Sequence, residues 1–370
     1  MRTLIKILFI GLFLTSLAYS AQVIRYVDPD APGPAHDGTS WNDAYLSLSA
    51  WVSGESPVNL VTDGDYHTCY CRSSKGTDDT TACSINGFVT DATHYIEIIG
   101  TDFPTDGVFD DSAYVMHNND DSDWGLRILD DYIRIHNIQF KVTDTAADYR
   151  LGLYVTACGA AEIRVDSCIF KGVCSGSGPA AGIYFNDSSV TFKVYNCIVY
   201  DFVSGADADY YGILNGNSSN TYIYNCTVYN CYNGIKRIGG TLAEVKNCAV
   251  GNCTDDFDGA VTTDYCCSDD GDGNNAQNPS GGNWDNEYVT PGTDFDLEAG
   301  GNCVGNGTDD PGSGLYSDDI IGNARSSTWD IGAFEYQAPA GGTGAQVIII
   351  SKDGTPSFND WWQFYNSLDD

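Results

Sequence analysis

Through the middle of the chain, apolar and polar positions alternate with period two, break at one residue, and alternate again. The segments YIRIHNIQFK, EIRVDSCIFK, FKVYNCIVY, YIYNCTVY and AEVKNCAV all follow this scheme. Aligned on the break, they put Asn137, Ser167, Asn196, Asn225 and Asn247 in one column, at intervals of 30, 29, 29 and 22 residues. The earlier segment YIEIIGTDF fits with Gly100 at the break, and Gly152, Gly182, Gly212 and Gly234, each before Leu or Ile, keep step. Alternation on both sides of a break predicts strand, sharp bend, strand. A unit this short cannot bury a face alone and must stack on its neighbours. No repeat carries an amphipathic helix, so the expected fold is all-β: a right-handed parallel β-helix, one repeat per rung, with adjacent strands about 4.8 Å apart.

The break column is expected to take the left-handed conformation, which Asn tolerates and Gly adopts more readily. Ser167 is the exception in that column. Amide side chains there are expected to bond along the stack. The next residues, Ile138, Cys168, Cys197, Cys226 and Cys248, should point inward, as should Phe140, Phe170, Val199, Val228 and Val250. Cysteine is then first a small core residue. Vertical disulfides remain open, with Cys226, Cys231, Cys248 and Cys253 the favoured set because they match across two rungs.

Residues outside the repeats place the protein. A basic start (Arg2, Lys6), an apolar run from Ile7 to Leu17 and small residues at Ala18 and Ser20 read as a secretory signal over 1–20, too short to span a membrane. No later stretch is long and apolar enough to span one. Fourteen cysteines suit an extracellular compartment. The net charge is −34, and two units more acidic once Arg2 and Lys6 are removed. That balance argues against nucleic acid and anionic membranes as partners.

Against this acidity, the outward columns hold an unexpected feature. Three residues before the break run Glu97, Arg134, Arg164, Lys193, Tyr222 and Glu244. One before it run Ile99, His136, Asp166, Tyr195, Tyr224 and Lys246. Four after it run Lys141, Lys171, Tyr200, Tyr229 and Gly251. Stacked like charges cost a few tenths to about 1 kcal/mol per pair. A basic strip of Arg134, Arg164, Lys193, Lys141 and Lys171 beside the exposed tyrosines Tyr195 and Tyr224 would suit an acidic glycan. It would also suit a lyase using Arg or Lys as base. The competing reading is that Asp166, Asp130, Asp131 and Glu97 neutralise the strip.

Two end motifs carry a family resemblance. The repeat architecture resembles the pectate-lyase-like superfamily of right-handed parallel β-helices. YVDPDAPGPAHDGTSWNDAYLSL (26–48) resembles the opening of many secreted β-helix proteins, where Asp-Gly-Thr-Ser-Trp leads into a capping segment. TDFDLEAGGNCVGNGTD (293–309) with DDIIGNARSSTWDIGAFEYQ (318–337) resembles the closing region of the choice-of-anchor Q family. The resemblance implies a cap and first rung over 21–94, rungs over 95–265 and a closing region over 266–337. Because this fold hosts lyases, hydrolases and adhesins, it implies no single activity. The surface-anchoring signal that such members carry after the motif is not recognisable here.

The remaining residues are a linker and tail over 338–370, read as a cap or, through 346–370, as a self-association segment. SDDGDGNN (268–275) offers Asp269, Asp270, Asp272 and Asn274 as oxygen ligands for calcium, against the reading of a solvated acidic turn. No cofactor is required. Acceptor patterns for N-glycosylation stand at Asn186, Asn217, Asn225, Asn252 and Asn306. The five histidines (36, 67, 94, 117, 136) show no metal-ligand spacing, and no Ser/His/Asp arrangement can be read. The expectation is a secreted, non-catalytic protein that contacts an extracellular or cell-surface glycan. The alternatives are a lyase or hydrolase of an acidic polysaccharide, and an appendage subunit assembling through its tail.

Overall fold

The structure, a computed structural model, describes residues 21–338 apart from 120–121, 146–147, 160, 205–208, 218–219, 241 and 260, and apart from the side chains of 242 and 243. Residues 1–20, read above as a secretory signal, nearly all of the tail 338–370, and with it the segment 346–370, lie outside the described residues. Three parallel sheets carry the fold. The first has nine strands, from Ala21–Val27 and Asp65–Cys71 through Ile96–Gly100, Ile133–His136, Glu162–Asp166, Thr191–Tyr195, Asn220–Tyr224 and Leu242–Lys246 to Thr263–Asp264. The second runs from Val115–Asn118 and Gln139–Asp144 through Ile169–Cys174 to Cys267–Ser268, and the third from Cys83–Ile85 and Trp124–Ile128 to Asp255–Asp258.

Successive strands of one rung belong to different sheets, and each sheet pairs every strand with its counterpart one rung away. That is the expected right-handed parallel β-helix, the sense in which right-twisted strands cross over. Ala21–Val27 already pairs with Asp65–Cys71, inside the span 21–94 read as cap and first rung. Between those strands sit helices α1, Leu48–Glu55, and α2, Leu60–Asp63. Ser47 caps α1 by accepting the Ala50 N–H at 3.0 Å, and Trp51, fully buried, stacks on Phe88 over the first rungs. The Asp-Gly-Thr-Ser-Trp segment leads into helix α1.

The break column behaves as expected with two changes. Asn137, Asn196, Asn225 and Asn247 have φ between 45° and 56°, and so does Ser167 at 50°, extended by Tyr265 at 54°. Gly100 lacks a positive φ; it is needed because a Cβ there would lie 1.9 Å from the Asn137 carbonyl oxygen. Amides of this column mostly do not bond one another, the exception being Asn247 to Asn225 at 3.3 Å. The amide ladder forms instead at a second bend, where Asp201, Asn230 and Asn252 are left-handed. Asn230 donates to Asp201 at 2.7 Å and Asn252 to Asn230 at 3.2 Å. The paired Asn-Cys units of the sequence thus mark two bends per rung, three strand residues apart.

Ile138, Cys168, Cys197, Cys226 and Cys248 are buried, as are Phe140, Phe170, Val199, Val228 and Val250. Phe140 and Phe170 stack at 4.5 Å. The expected disulfides among Cys226, Cys231, Cys248 and Cys253 are not formed, and all fourteen cysteines are unpaired. In-register parallel strands hold Cβ atoms near the strand spacing of about 4.8 Å, beyond the ~3.8 Å a disulfide prefers. Each bend thiol instead reaches the carbonyl two residues back, as in Cys168 to Asp166 at 3.1 Å and Cys226 to Tyr224 at 3.3 Å.

The closing region folds back along the break column. Asn196 donates to the Asp318 carbonyl at 2.9 Å, Asn225 to the Asp330 carbonyl at 2.8 Å and Asn247 to the Thr308 carbonyl at 2.8 Å. Arg325, buried, donates to Asn196 Oδ1 at 2.7 Å and pairs with Glu335 at 3.5 Å. The amides that the repeat supplies for turning are what the closing region binds to. Asn225 is wholly buried, so its glycosylation pattern is closed to modification.

Candidate functional site

Alternation decides which side chains reach the outer face of the nine-stranded sheet. In Ile133–His136 the isoleucines fill the core and Arg134 and His136 point out; in Glu162–Asp166, Ile163 and Val165 go in and Glu162, Arg164 and Asp166 go out. Register then stacks Glu97, Arg134, Arg164, Lys193, Tyr222 and Glu244, as expected.

Repulsion in this column is relieved in part by Glu97, as expected, since it is the register neighbour of Arg134 and its carboxyl is held down by the His136 bond and partly by that charge, and further by a residue outside the expected set. Glu162 accepts Arg164 Nε at 2.5 Å on one oxygen and pairs with Lys193 Nζ at 2.6 Å on the other. Burial pushes the Glu162 carboxyl upward, but the Lys193 and Arg164 bonds outweigh it and hold it below the usual range. Arg134 lies over the Tyr95 ring at 3.5 Å. Among the described residues, no carboxylate pairs with Arg134. Asp130 accepts the Phe88 N–H and Asp131 the Gly159 N–H instead, so they support loops rather than neutralise the strip. Tyr132, Arg134, Glu162, Arg164 and Thr191 line an open depression of about 450 Å³. Tyr132, with a φ of 51°, turns the chain into the strand that carries Arg134.

Next to it, His136 stands between Glu97, at 3.3 Å, and Asp166, closer still. Burial acts to lower its pKa, but the bonds to Asp166 and Glu97 prevail and raise it to about 10. The bond to His136 also keeps the Glu97 carboxyl below its ordinary value. A second depression of about 510 Å³ is bounded by Glu97, His136, Asp166, Phe103 and Asp318.

Several expected site residues fall elsewhere. Tyr195 and Tyr224 are stacked in register but only 4 % exposed, not presented to solvent. The closing region covers Tyr195, on which Tyr316 stacks at 4.7 Å, while the Tyr224 hydroxyl bonds Glu244 of the next strand in the same sheet at 2.7 Å. Lys141 and Lys171 stack as expected, yet on the second sheet. The bend at Asn137 and Ser167 turns the chain between the two positions, so the single basic strip becomes two separate faces. Lys141 pairs with Asp111 at 2.7 Å, and Lys171 lies 5.0 Å from the Phe109 ring.

Asp269, Asp270, Asp272 and Asn274 do not assemble a ligand set. Asp269 spends one oxygen on Trp284 Nε1 at 2.7 Å and the other on the Asn252 N–H at 2.8 Å. Among the described residues, no three His, Cys, Asp or Glu side chains converge on a metal position.

Glu162, Tyr95 and the His136 clamp escaped the sequence reading. Glu162 was findable, being two residues before Arg164 on one strand and so on one face. The structure also joins Asp78, His117 and Thr143, which sequence spacing does not suggest. His117 Nδ1 lies 2.7 Å from Asp78 and its Nε2 lies 2.9 Å from the Thr143 hydroxyl.

No family model matches the chain, and no curated protein matches it. A solved structure, "Crystal structure of pectate lyase Pel9A", is similar over 86% of this chain and 97% of that chain, at 15% sequence identity and a TM-score of 0.36. At that score it adds nothing to what the sheet topology establishes and says nothing of the side chains. No helix among the described residues is long and apolar enough to cross a membrane.

Proposed function

We propose that this is an extracellular β-helix protein whose nine-stranded-sheet face binds an acidic glycan without cleaving it. The observation that carries the reading is Arg134. Its guanidinium carbon lies 3.5 Å from the centre of the Tyr95 ring, at the rim of a depression it shares with Arg164, and among the described residues no carboxylate lies within ion-pair distance of it. A guanidinium stacked by its face keeps its edge N–H groups for a ligand, and those groups match a carboxylate two at a time. A volume of about 450 Å³ is within the range of small-ligand sites.

Lyase chemistry on this face would need a base that gives up its proton near neutral pH. Arg164 is tied to Glu162, and His136 stays protonated between two carboxylates. Both favour binding over proton abstraction. Secretion by the 1–20 segment and surface association through the tail complete the proposal.

The test is calorimetry or array binding with a panel of uronate-containing and sulfated polysaccharides. Arg134→Ala and Arg164→Ala should each weaken binding by about tenfold or more, the scale of a charge-assisted hydrogen bond. Absence of binding across the panel, or binding indifferent to both substitutions, would overturn the reading. Release of unsaturated uronides by the pure protein would replace it with a lyase.

A further inference from the structure

On the second sheet, away from the Arg134 face, three side chains stand in the order of an acyl-transfer relay. Asp78 belongs to the loop leading to Cys83–Ile85, and the residue after it is fixed in place. Asp79 pairs with the strand Val115–Asn118 through Asp79 N–H to Val115 O and His117 N–H to Asp79 O, both 2.9 Å. Its carboxylate accepts the Leu48 N–H at 2.7 Å and the Tyr114 hydroxyl at 2.8 Å. This anchorage holds Asp78 beside His117. The next strand, Gln139–Asp144, brings Lys141 into register with His117 and Thr143 two residues further along the same face.

The two distances, 2.7 Å from Asp78 to Nδ1 and 2.9 Å from Nε2 to Thr143 Oγ1, are those of a nucleophile–base–orienter set. In the tautomer this relay uses, Nδ1 carries the ring hydrogen and donates to the Asp78 carboxylate, which only accepts. Nε2 is then an acceptor, and the Thr143 hydroxyl donates to it. His117 and Asp78 side chains are 14 % and 21 % exposed, so the relay is open to a ligand.

We propose that Thr143 and His117 are the catalytic residues of a serine-hydrolase-like esterase, with Asp78 as positioning residue, acting on small acyl esters of an anionic glycan. The surroundings select that substrate. Val173 is the register partner of Thr143 on the following rung and is 46 % exposed, a large apolar surface beside the hydroxyl for an acyl chain. Lys171 lies on the same strand as Val173, two residues earlier, and among the described residues it makes no ion pair. It is the cation for the anionic group, with Lys141, already joined to Asp111, beside it.

In the first step Thr143 Oγ1 bonds to the ester carbonyl carbon and its proton passes to His117 Nε2. The carbon–oxygen bond to the alcohol then breaks, and the departing oxygen takes that proton. Water attacks the acyl-Thr143, again losing its proton to Nε2. The carboxylic acid leaves and the Thr143 hydroxyl is restored. Water is the only co-reactant.

The experiment uses the full chain with p-nitrophenyl acetate and with an O-acetylated uronate polysaccharide. The expected result is acetate release with an acetyl group mapped to Thr143 by peptide mass spectrometry. Thr143→Val, which keeps the shape and removes the hydroxyl, should lower the rate by about 10³-fold or more, while Thr143→Ser retains it. Adding imidazole should restore part of the rate of His117→Gly. Asp78→Asn should lower kcat and leave KM unchanged. Hydrolysis of p-nitrophenyl acetate by the wild-type chain needs no glycan, so it succeeds or fails independently of the polysaccharide-panel binding that tests the glycan reading. Unchanged near-ultraviolet circular dichroism shows that each variant is folded. A wild-type rate equal to buffer, or a folded Thr143→Val protein as active as wild type, would overturn the proposal.

Discussion

Asn225 accepts the Tyr316 hydroxyl at 2.8 Å while its amide donates to the Asp330 carbonyl at 2.8 Å, so one bend residue ties the closing region to the rungs. Its φ is 45°. Asn225→Ala loses these bonds and puts a Cβ-bearing residue without a compensating side chain in the left-handed region. The expected cost is roughly 3 kcal/mol, combining ~1 kcal/mol per hydrogen bond with 1–2 for the backbone. Asn225→Gly keeps the backbone and should cost about half as much. Urea denaturation of the two variants decides between a bend role and a docking role.

Glu162 shields Arg164 and Lys193 from each other and from any anionic ligand. Glu162→Gln should therefore strengthen binding of an acidic glycan by about 3- to 10-fold, since removing one nearby like charge is worth on the order of 1 kcal/mol. Isothermal calorimetry against wild type reads this directly. Weaker binding would mean that Glu162 itself contacts the sugar.

The chain carries a net charge of −34 around a small basic patch. At about 10 mM salt the screening length is near 30 Å and an approaching polyanion feels the whole chain; at about 150 mM it is near 8 Å and the patch dominates. Affinity for an acidic glycan should rise across that interval and fall only at higher salt. A steady decline from the lowest salt onward would show that the patch outweighs the chain at every range.

His136 binds its proton more tightly folded than unfolded, with a pKa of about 10 against 6.5. Its stabilising contribution is complete below about pH 6.5 and is lost as pH rises through 10. Between pH 6.5 and 8, before unfolded thiols ionise, wild type should lose up to about 1.4 kcal/mol per pH unit through this group. His136→Gln should flatten that slope in denaturant titrations. An equal slope in both proteins would mean that His136 is not clamped in solution.

The register was legible because period-two alternation leaves one choice of which side chains go in. Phe140 over Phe170, the Asn-Cys bends and the Arg134–Arg164–Lys193 column all follow from it. What alternation cannot show is how sharply the chain turns between positions. Lys141 is four residues past Asn137 in sequence, and the bend puts it on another sheet. Nor does it show that the amides of Asn196, Asn225 and Asn247 face a returning segment rather than one another.

The sequence alone therefore determined the repeat, the core and the columns, because strand periodicity is a local property of neighbouring residues. Tertiary structure decided what covers those columns and what meets across rungs. Tyr195 is outward by register but buried under Tyr316 of the returning segment, which also binds the bend amide of Asn225 through the Asp330 carbonyl. Asp78, His117 and Thr143 come from three separate stretches of chain and meet only because stacking sets strands about 4.8 Å apart. Contacts of that kind depend on where the chain returns, which no local pattern encodes.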